Sequence, residues 1–114
     1  MKLEFEKKMR IASDLLSYCH TKGATEFHVD MTDKNGSCVF KITASPVNLS
    51  DESLEKLRTR LDAPRSVEIE HDYWGLMGES ESFTELMLVG MMSDEVEVEY
   101  EADILIITIK RHDL

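Results

Sequence analysis

The stretch Glu95-Val96-Glu97-Val98-Glu99-Tyr100-Glu101 alternates strictly between carboxylates and apolar or aromatic residues. A period of two is the side-chain period of a strand, so the segment predicts one with a buried face and an opposite face that is a ladder of carboxylates. After Ala102-Asp103, the run Ile104-Leu105-Ile106-Ile107-Thr108-Ile109 is apolar on both faces, which predicts a more central strand. The two strands make a terminal hairpin.

A second hairpin lies upstream. Phe27-His28-Val29-Asp30-Met31 and Ser37-Cys38-Val39-Phe40-Lys41-Ile42 flank Asp33-Lys34-Asn35-Gly36, and Asn-Gly accepts the positive φ that a type I′ turn demands at both central positions. Before it, Phe5, Met9, Ala12, Leu16 and Cys19 recur at spacings of three and four, with Ile11 and Leu15 widening the stripe, so residues 1–22 predict a helix stopped at Gly23.

Between the hairpins, Pro46 ends any ladder, and Ser50 followed by Asp51-Glu52 reads as an N-cap with acids in the first turn of a helix carrying Leu54, Leu57 and Leu61. After Asp62-Ala63-Pro64-Arg65, the residues Ile69, Tyr73, Leu76 and Met77 fit a third helix, while Val67 to His71 fits a strand. Ser82-Phe83-Thr84-Glu85 fits a capping box, and Phe83, Leu86, Met87, Gly90 and Met91 continue a helical stripe on which Gly90 allows close approach of a neighbour. Two hairpins with their helices collected on one face give an α+β fold: a two-layer α/β sandwich with both hairpins in one mixed sheet under three to four helices.

The 114 residues, 42% of them hydrophobic, suit a single domain over 1–114. Thirteen Lys and Arg against twenty-three Asp and Glu give a net charge of −10, which argues against duplex nucleic acid or an anionic membrane as partner. That charge is polarised: residues 66–109 hold twelve acids and no Lys or Arg. No run has the apolar length of a membrane span, the start is too charged for a signal peptide, and Cys19 and Cys38 suggest reduced thiols, so the expected compartment is the cytoplasm.

Chemistry is sparsely signalled. His20, His28, His71, His112 and the two cysteines show no metal-ligand spacing, so no metal is expected, and His28 is expected to face outward on its strand or to satisfy a local hydrogen bond. No nucleophile elbow, Walker loop or dinucleotide loop occurs. Tyr73-Trp74 fits core packing, and as a pair of hot-spot residue types it is also a candidate partner-binding patch.

Glu85-Leu86-Met87-Leu88-Val89-Gly90-Met91-Met92-Ser93-Asp94-Glu95-Val96-Glu97-Val98, followed by a hairpin and Ile106-Ile107-Thr108-Ile109-Lys110-Arg111, resembles the closing helix and hairpin of the histidine-kinase-like ATPase (GHKL) fold, in particular of anti-sigma-factor kinases. Asp14-Leu15-Leu16-Ser17-Tyr18-Cys19-His20-Thr21-Lys22-Gly23-Ala24 resembles the family's first helix, and Leu49-Ser50-Asp51-Glu52 the segment after its Asp-x-Gly box.

The resemblance implies a magnesium-holding Asn where Tyr18 stands, and an adenine-binding Asp and Gly where Ala44-Ser45-Pro46 stands. A phenol is a poor magnesium ligand, Ala44 accepts no hydrogen bond from adenine, and Pro46 has no N–H. Gly78-Glu79-Ser80-Glu81-Ser82-Phe83 replaces the Gly-rich lid with carboxylates that repel a polyphosphate. Asp14 aligns with the family's general base and is the one weak catalytic candidate; without bound phosphate it reads as a helix-surface charge.

The resemblance therefore implies a noncatalytic GHKL-like regulatory module with no bound cofactor, acting in bacterial-type signalling or anti-sigma regulation by binding a protein. Its candidate surfaces are Tyr73-Trp74 and the row Glu95, Glu97, Glu99 and Glu101, the latter suited to a basic partner. The family's anti-sigma factors often pair, so the resemblance also allows a homodimer. The alternatives are an active ATP-dependent serine kinase or ATPase using Asp14, and a small-ligand sensor whose emptied cleft is lined by Tyr18, Cys19 and Ala44.

Overall fold

At the first hairpin turn, Asn35 and Gly36 take φ of 56° and 73°, the left-handed pair that a two-residue type I′ connection requires. A computed structural model describes residues 2–66 and 82–113, and in it this turn joins β1 (Glu26–Lys34) to β2 (Ser37–Ser45), with Lys34 opposite Ser37 and Glu26 opposite Ser45. Helix α1 (Lys2–Thr21) precedes the hairpin, and α2 (Asp51–Leu61) and α3 (Ser82–Met91) lie between it and the second hairpin of β3 (Glu95–Glu101) and β4 (Ile104–His112). The third helix or strand read from residues 66–77 lies almost wholly outside the described residues, as do Tyr73 and Trp74.

The two hairpins share one sheet in the order β1-β2-β4-β3, and all three pairings are antiparallel. The expectation of a mixed sheet is therefore corrected for the described strands. Had β3 lain beside β2, those two strands would have run parallel. Instead β4, apolar at both parities, takes the inner place, and β3, with a carboxylate at every second position, takes the edge, where one face and one flank meet water.

The register separates two faces. Directly opposed residues point to the same side, so Phe40, Ile42 and Ala44 of β2 line up with Ile109, Ile107 and Leu105 of β4 and with Val96, Val98 and Tyr100 of β3. This face carries the core. The β2 and β4 members are wholly buried, and α1 packs on β2 and α3, and α2 on α3. Ile11, Leu15 and Cys19 come from α1, Leu57 and Leu61 from α2, and Leu86 and Val89 from α3, each large aliphatic contributing about 1.5–3 kcal/mol by leaving water.

Local signals hold at the helix ends. The Ser50 side chain accepts from Ser53 N–H at 3.1 Å and caps α2, satisfying one of the orphan donors of the first turn. On α3, a Cβ at Gly90 would stand 2.7 Å from the Leu61 carbonyl oxygen and 3.0 Å from that of Arg60; the missing side chain lets α3 cross the end of α2.

The stripe on α1 is rotated from its expected centre. Phe5 and Met9 are 48% and 37% exposed, whereas Lys7 and Lys8 are buried. Lys8 Nζ lies 2.9 Å from both Asp33 and Asp113, and Lys7 Nζ lies 4.0 Å from Glu4. Asp33 of β1 and Asp113 just after β4 meet Lys8 from outside the helix, while Lys7 is met by Glu4 one turn earlier on α1 itself.

Candidate functional site

Strand β3 owes its exposed row to simple alternation. Val96, Val98 and Tyr100 turn toward the core and are partly buried, leaving Glu95, Glu97, Glu99 and Glu101 exposed on the sheet face away from it. Tyr100 fixes this strand to the chain after β2: its hydroxyl donates to the Val47 carbonyl at 2.7 Å and accepts from Leu49 N–H at 3.1 Å.

Across the ladder the four carboxylates differ. Glu95 stands opposite Lys110, whose Nζ is 3.6 Å away. Glu97, Glu99 and Glu101 stand opposite Thr108, Ile106 and Ile104, none of which is charged. Ile104 is 42% exposed. Around the turn from β3 to β4 runs an open groove of about 570 Å³, lined on the outer face by Glu99, Glu101, Ile104 and Ile106 and at the strand edge by Arg58 and Tyr100. Arg58 Nη2 donates to the Val98 carbonyl at 3.1 Å, covering part of the β3 edge. Neither the groove nor the Arg58 contact was legible from spacing, because Arg58 is a charged residue on an exposed helix side until the strand is laid against it.

The nucleotide-site positions implied by the GHKL resemblance have other surroundings. Asp14 is 8% exposed rather than a surface charge, with Oδ1 3.8 Å from Arg10 Nε. The reading of it as a solvated helix charge is corrected: α1 is covered on two sides, by β2 and by α3, so its buried arc extends past the apolar stripe. Tyr18 is half-buried; burial pushes its hydroxyl pKa up, Cys19 adds to this, and Arg60 opposes it. Lys22 Nζ sits 5.7 Å from the centre of the Tyr18 ring. Ala44 is wholly buried in the core, and Pro46, joined to Ser45 by a cis peptide bond, is exposed. The end of α1 and the Pro46 loop are neighbours, since Asn48 N–H donates to the Lys22 carbonyl at 3.2 Å.

Cys19 and Cys38 are both free and wholly buried, and burial pushes each thiol pKa up to about 11. Such thiols are protonated at neutral pH and are poor nucleophiles. His28 is exposed on the outer face, as its strand position predicts. Among the described residues no three of His, Cys, Asp and Glu converge on a metal-sized site.

No protein-family model matches the chain, and the comparison with curated proteins returns no match.

Proposed function

We propose that the chain is a noncatalytic GHKL-like binding module that docks a protein with a Lys/Arg-rich surface on the outer face of β3. One observation carries this reading: Glu97, Glu99 and Glu101 are exposed, and their direct cross-strand neighbours are uncharged. Alternate residues of a strand lie about 7 Å apart, where two carboxylates in water repel by about 0.6 kcal/mol. The row is thus tolerable alone and gains by neutralisation. Beside it, Ile104 and Ile106 floor the groove that Glu99 and Glu101 border, a combination suited to side chains with an aliphatic stem and a cationic head.

Two further features support the family part of the reading. The elements follow the order that the resemblance requires, helix, hairpin, intervening helix, closing helix and hairpin, with both hairpins in one sheet. The all-antiparallel order departs from the mixed sheet expected of it. The noncatalytic part rests on Tyr18, Ala44 and Pro46 at the positions of nucleotide contacts. Cys19 and Ala44 have no exposed surface, which favours the protein-binding reading over a small-ligand sensor.

The test has two arms. Millimolar Mg-ATP is expected to leave the melting temperature unchanged, since a nucleotide held only by the folded state would raise it; a rise would favour the kinase or ATPase reading. Glu97→Lys with Glu99→Lys is expected to abolish binding of a Lys/Arg-rich peptide while the protein melts as the wild type does, and undiminished binding would reject the acidic row.

A further inference from the structure

Strand β1 forms the sheet edge opposite β3, and all its residues are exposed except Met31, which is half-buried. The two-residue turn makes Lys34 and Ser37 a hydrogen-bonded pair, so by antiparallel alternation Glu26, His28, Asp30 and Thr32 also spend their backbone groups on β2. The N–H and C=O groups of Phe27, Val29 and Met31 therefore point away from the sheet. At the β3 edge the equivalent Val98 carbonyl accepts from Arg58. At β1, Phe27 and Val29 are instead 38% and 46% exposed, and an apolar edge with free backbone groups is a template for a further strand.

The two sides of this edge differ in chemistry. Phe27 and Val29 oppose Ala44 and Ile42 and so lie on the helix-covered face, where a groove of about 480 Å³ runs between them and Leu16, Ser17, His20 and Thr21 of α1. Among the described residues no carboxylate, Lys or Arg lines that groove. On the outer face stand Glu26 and Asp30, both exposed. An antiparallel strand laid on the edge would meet both surfaces at once. Its residues opposite Phe27 and Val29 would form the hydrogen-bonded pairs and turn their side chains into the groove. Those opposite Glu26, His28 and Asp30 would be non-hydrogen-bonded pairs, in which side chains approach most closely. The other flank of β1 already shows a fitting complement, since Lys41, Ile42 and Thr43 of β2 stand opposite Asp30, Val29 and His28. The site ends at Asp33, whose carboxylate is held 2.9 Å from Lys8 Nζ.

We infer that the β1 edge takes up an extended segment of a different protein, in which basic and apolar residues alternate, as an antiparallel fifth strand. The pattern it reads is basic, apolar, β-branched, apolar, basic. The two apolar side chains enter the groove under α1, and the two cations pair with Glu26 and Asp30 on the outer face. Main-chain bonds to Phe27 and Val29 supply the attachment, and the alternation supplies the selectivity. An acidic segment would be repelled by Glu26 and Asp30 and by the net charge of −10. A uniformly basic segment would bring its charges into the apolar groove, so the edge discriminates by period as well as by sign. This site is separate from the carboxylate row, which lies on the far edge strand, and it does not depend on the GHKL resemblance.

The experiment titrates the full chain into a dye-labelled peptide, Ser-Lys-Val-Thr-Val-Lys-Ser, and follows fluorescence anisotropy. Saturation is expected below about 1 mM protein. Its absence would overturn the proposal, as would an edge already closed by a second copy, seen as a doubled mass that the peptide does not lower. N-methylation of either Val removes a main-chain donor aimed at β1 and is expected to weaken binding about tenfold or more, whereas N-methylation of the Thr, whose N–H points away, is expected to change nothing. Equal effects at Val and Thr would overturn strand addition, and these peptides are read on the unaltered chain, so no variant has to fold. Replacing both Lys by Glu is expected to weaken binding to a similar degree, and Glu26→Lys with Asp30→Lys to reverse that preference; an unchanged preference in a variant with the wild-type circular-dichroism spectrum would overturn the charge pairing. Glu97→Lys with Glu99→Lys is expected to bind this peptide as the wild type does. Loss of binding there would place the peptide on the β3 row and overturn the β1 site.

Discussion

Arg111 near the end of β4 has no exposed surface, and its guanidinium donates from Nε and Nη2 to Glu4 Oε1 in the first turns of α1, while Nη1 donates to the Met92 carbonyl at 2.7 Å. The pair ties the two ends of the chain together across the buried end of the sheet.

Removing one member of such a pair leaves a buried charge without its partner, which costs about 3–5 kcal/mol. Glu4→Ala is expected to lose about that much stability in urea titration. Glu4→Ala combined with Arg111→Met is expected to lose less than Glu4→Ala alone, because the stranded guanidinium is gone. A double variant no more stable than the single would show that packing, not charge, governs the site.

Gly90 permits contact between α3 and the end of α2. Alanine favours a helix over glycine by about 1 kcal/mol, but its methyl group would have to displace the Leu61 carbonyl, and overpacking of that kind costs about 1–3 kcal/mol. Gly90→Ala is therefore expected to lower the urea midpoint. A raised midpoint would mean that the helices separate freely.

The thiols give an alkaline signature. With folded pKa values pushed up to about 11 from 9.0, the native state holds these protons more tightly than the unfolded chain does. That stabilisation is complete below about pH 9 and is lost as pH rises toward 11. Tyr18 is shifted the same way. Melting temperature is expected to fall across that window and to fall less in Cys19→Ala; below it, thiol reagents are expected to label neither cysteine until the protein unfolds.

At the acid end the sign reverses. The Lys8 ammonium, donating to Asp113, holds that carboxyl below its ordinary value of 3.8. Its contribution is present above about pH 4 and disappears as pH falls through the lowered value. Asp113→Asn is expected to be less stable than the wild type at pH 6, with the difference closing as pH falls through the lowered value. A gap that persists there would locate the effect outside this ion pair.

Patterns confined to one element were readable. Glu95 to Glu101 announced a strand with one buried and one carboxylate face, Asn35-Gly36 a hairpin, Ser50 a cap and Gly90 a close approach, because each signal is complete within a few residues. Strand order was not readable: nothing in the period of Ile104 to Ile109 says which neighbour lies beside it, and the antiparallel sheet follows from β4 lying between β2 and β3. The burial of the α1 side that carries Lys7 and Lys8 was not readable either. The Lys8 partners Asp33 and Asp113 lie far away in sequence, in β1 and just after β4, and Phe5 and Met9 gave the stripe an apolar end that the core does not use. For the site, the carboxylate row was legible, but the groove at Ile104 and Ile106 required the fold of the turn.

The docking claim meets its most direct test in a titration of a Lys/Arg-rich peptide at two salt concentrations. Compared are the wild type, Glu97→Gln with Glu99→Gln, and a control, Glu6→Gln with Glu52→Gln, that loses the same net charge from exposed helical positions. Wild type and control are expected to bind alike and to weaken together from 50 to 300 mM salt, with the β3 variant at least about tenfold weaker at low salt. Equal binding by the β3 variant and the control would contradict the account, since the attraction would then belong to overall charge and not to the row on β3.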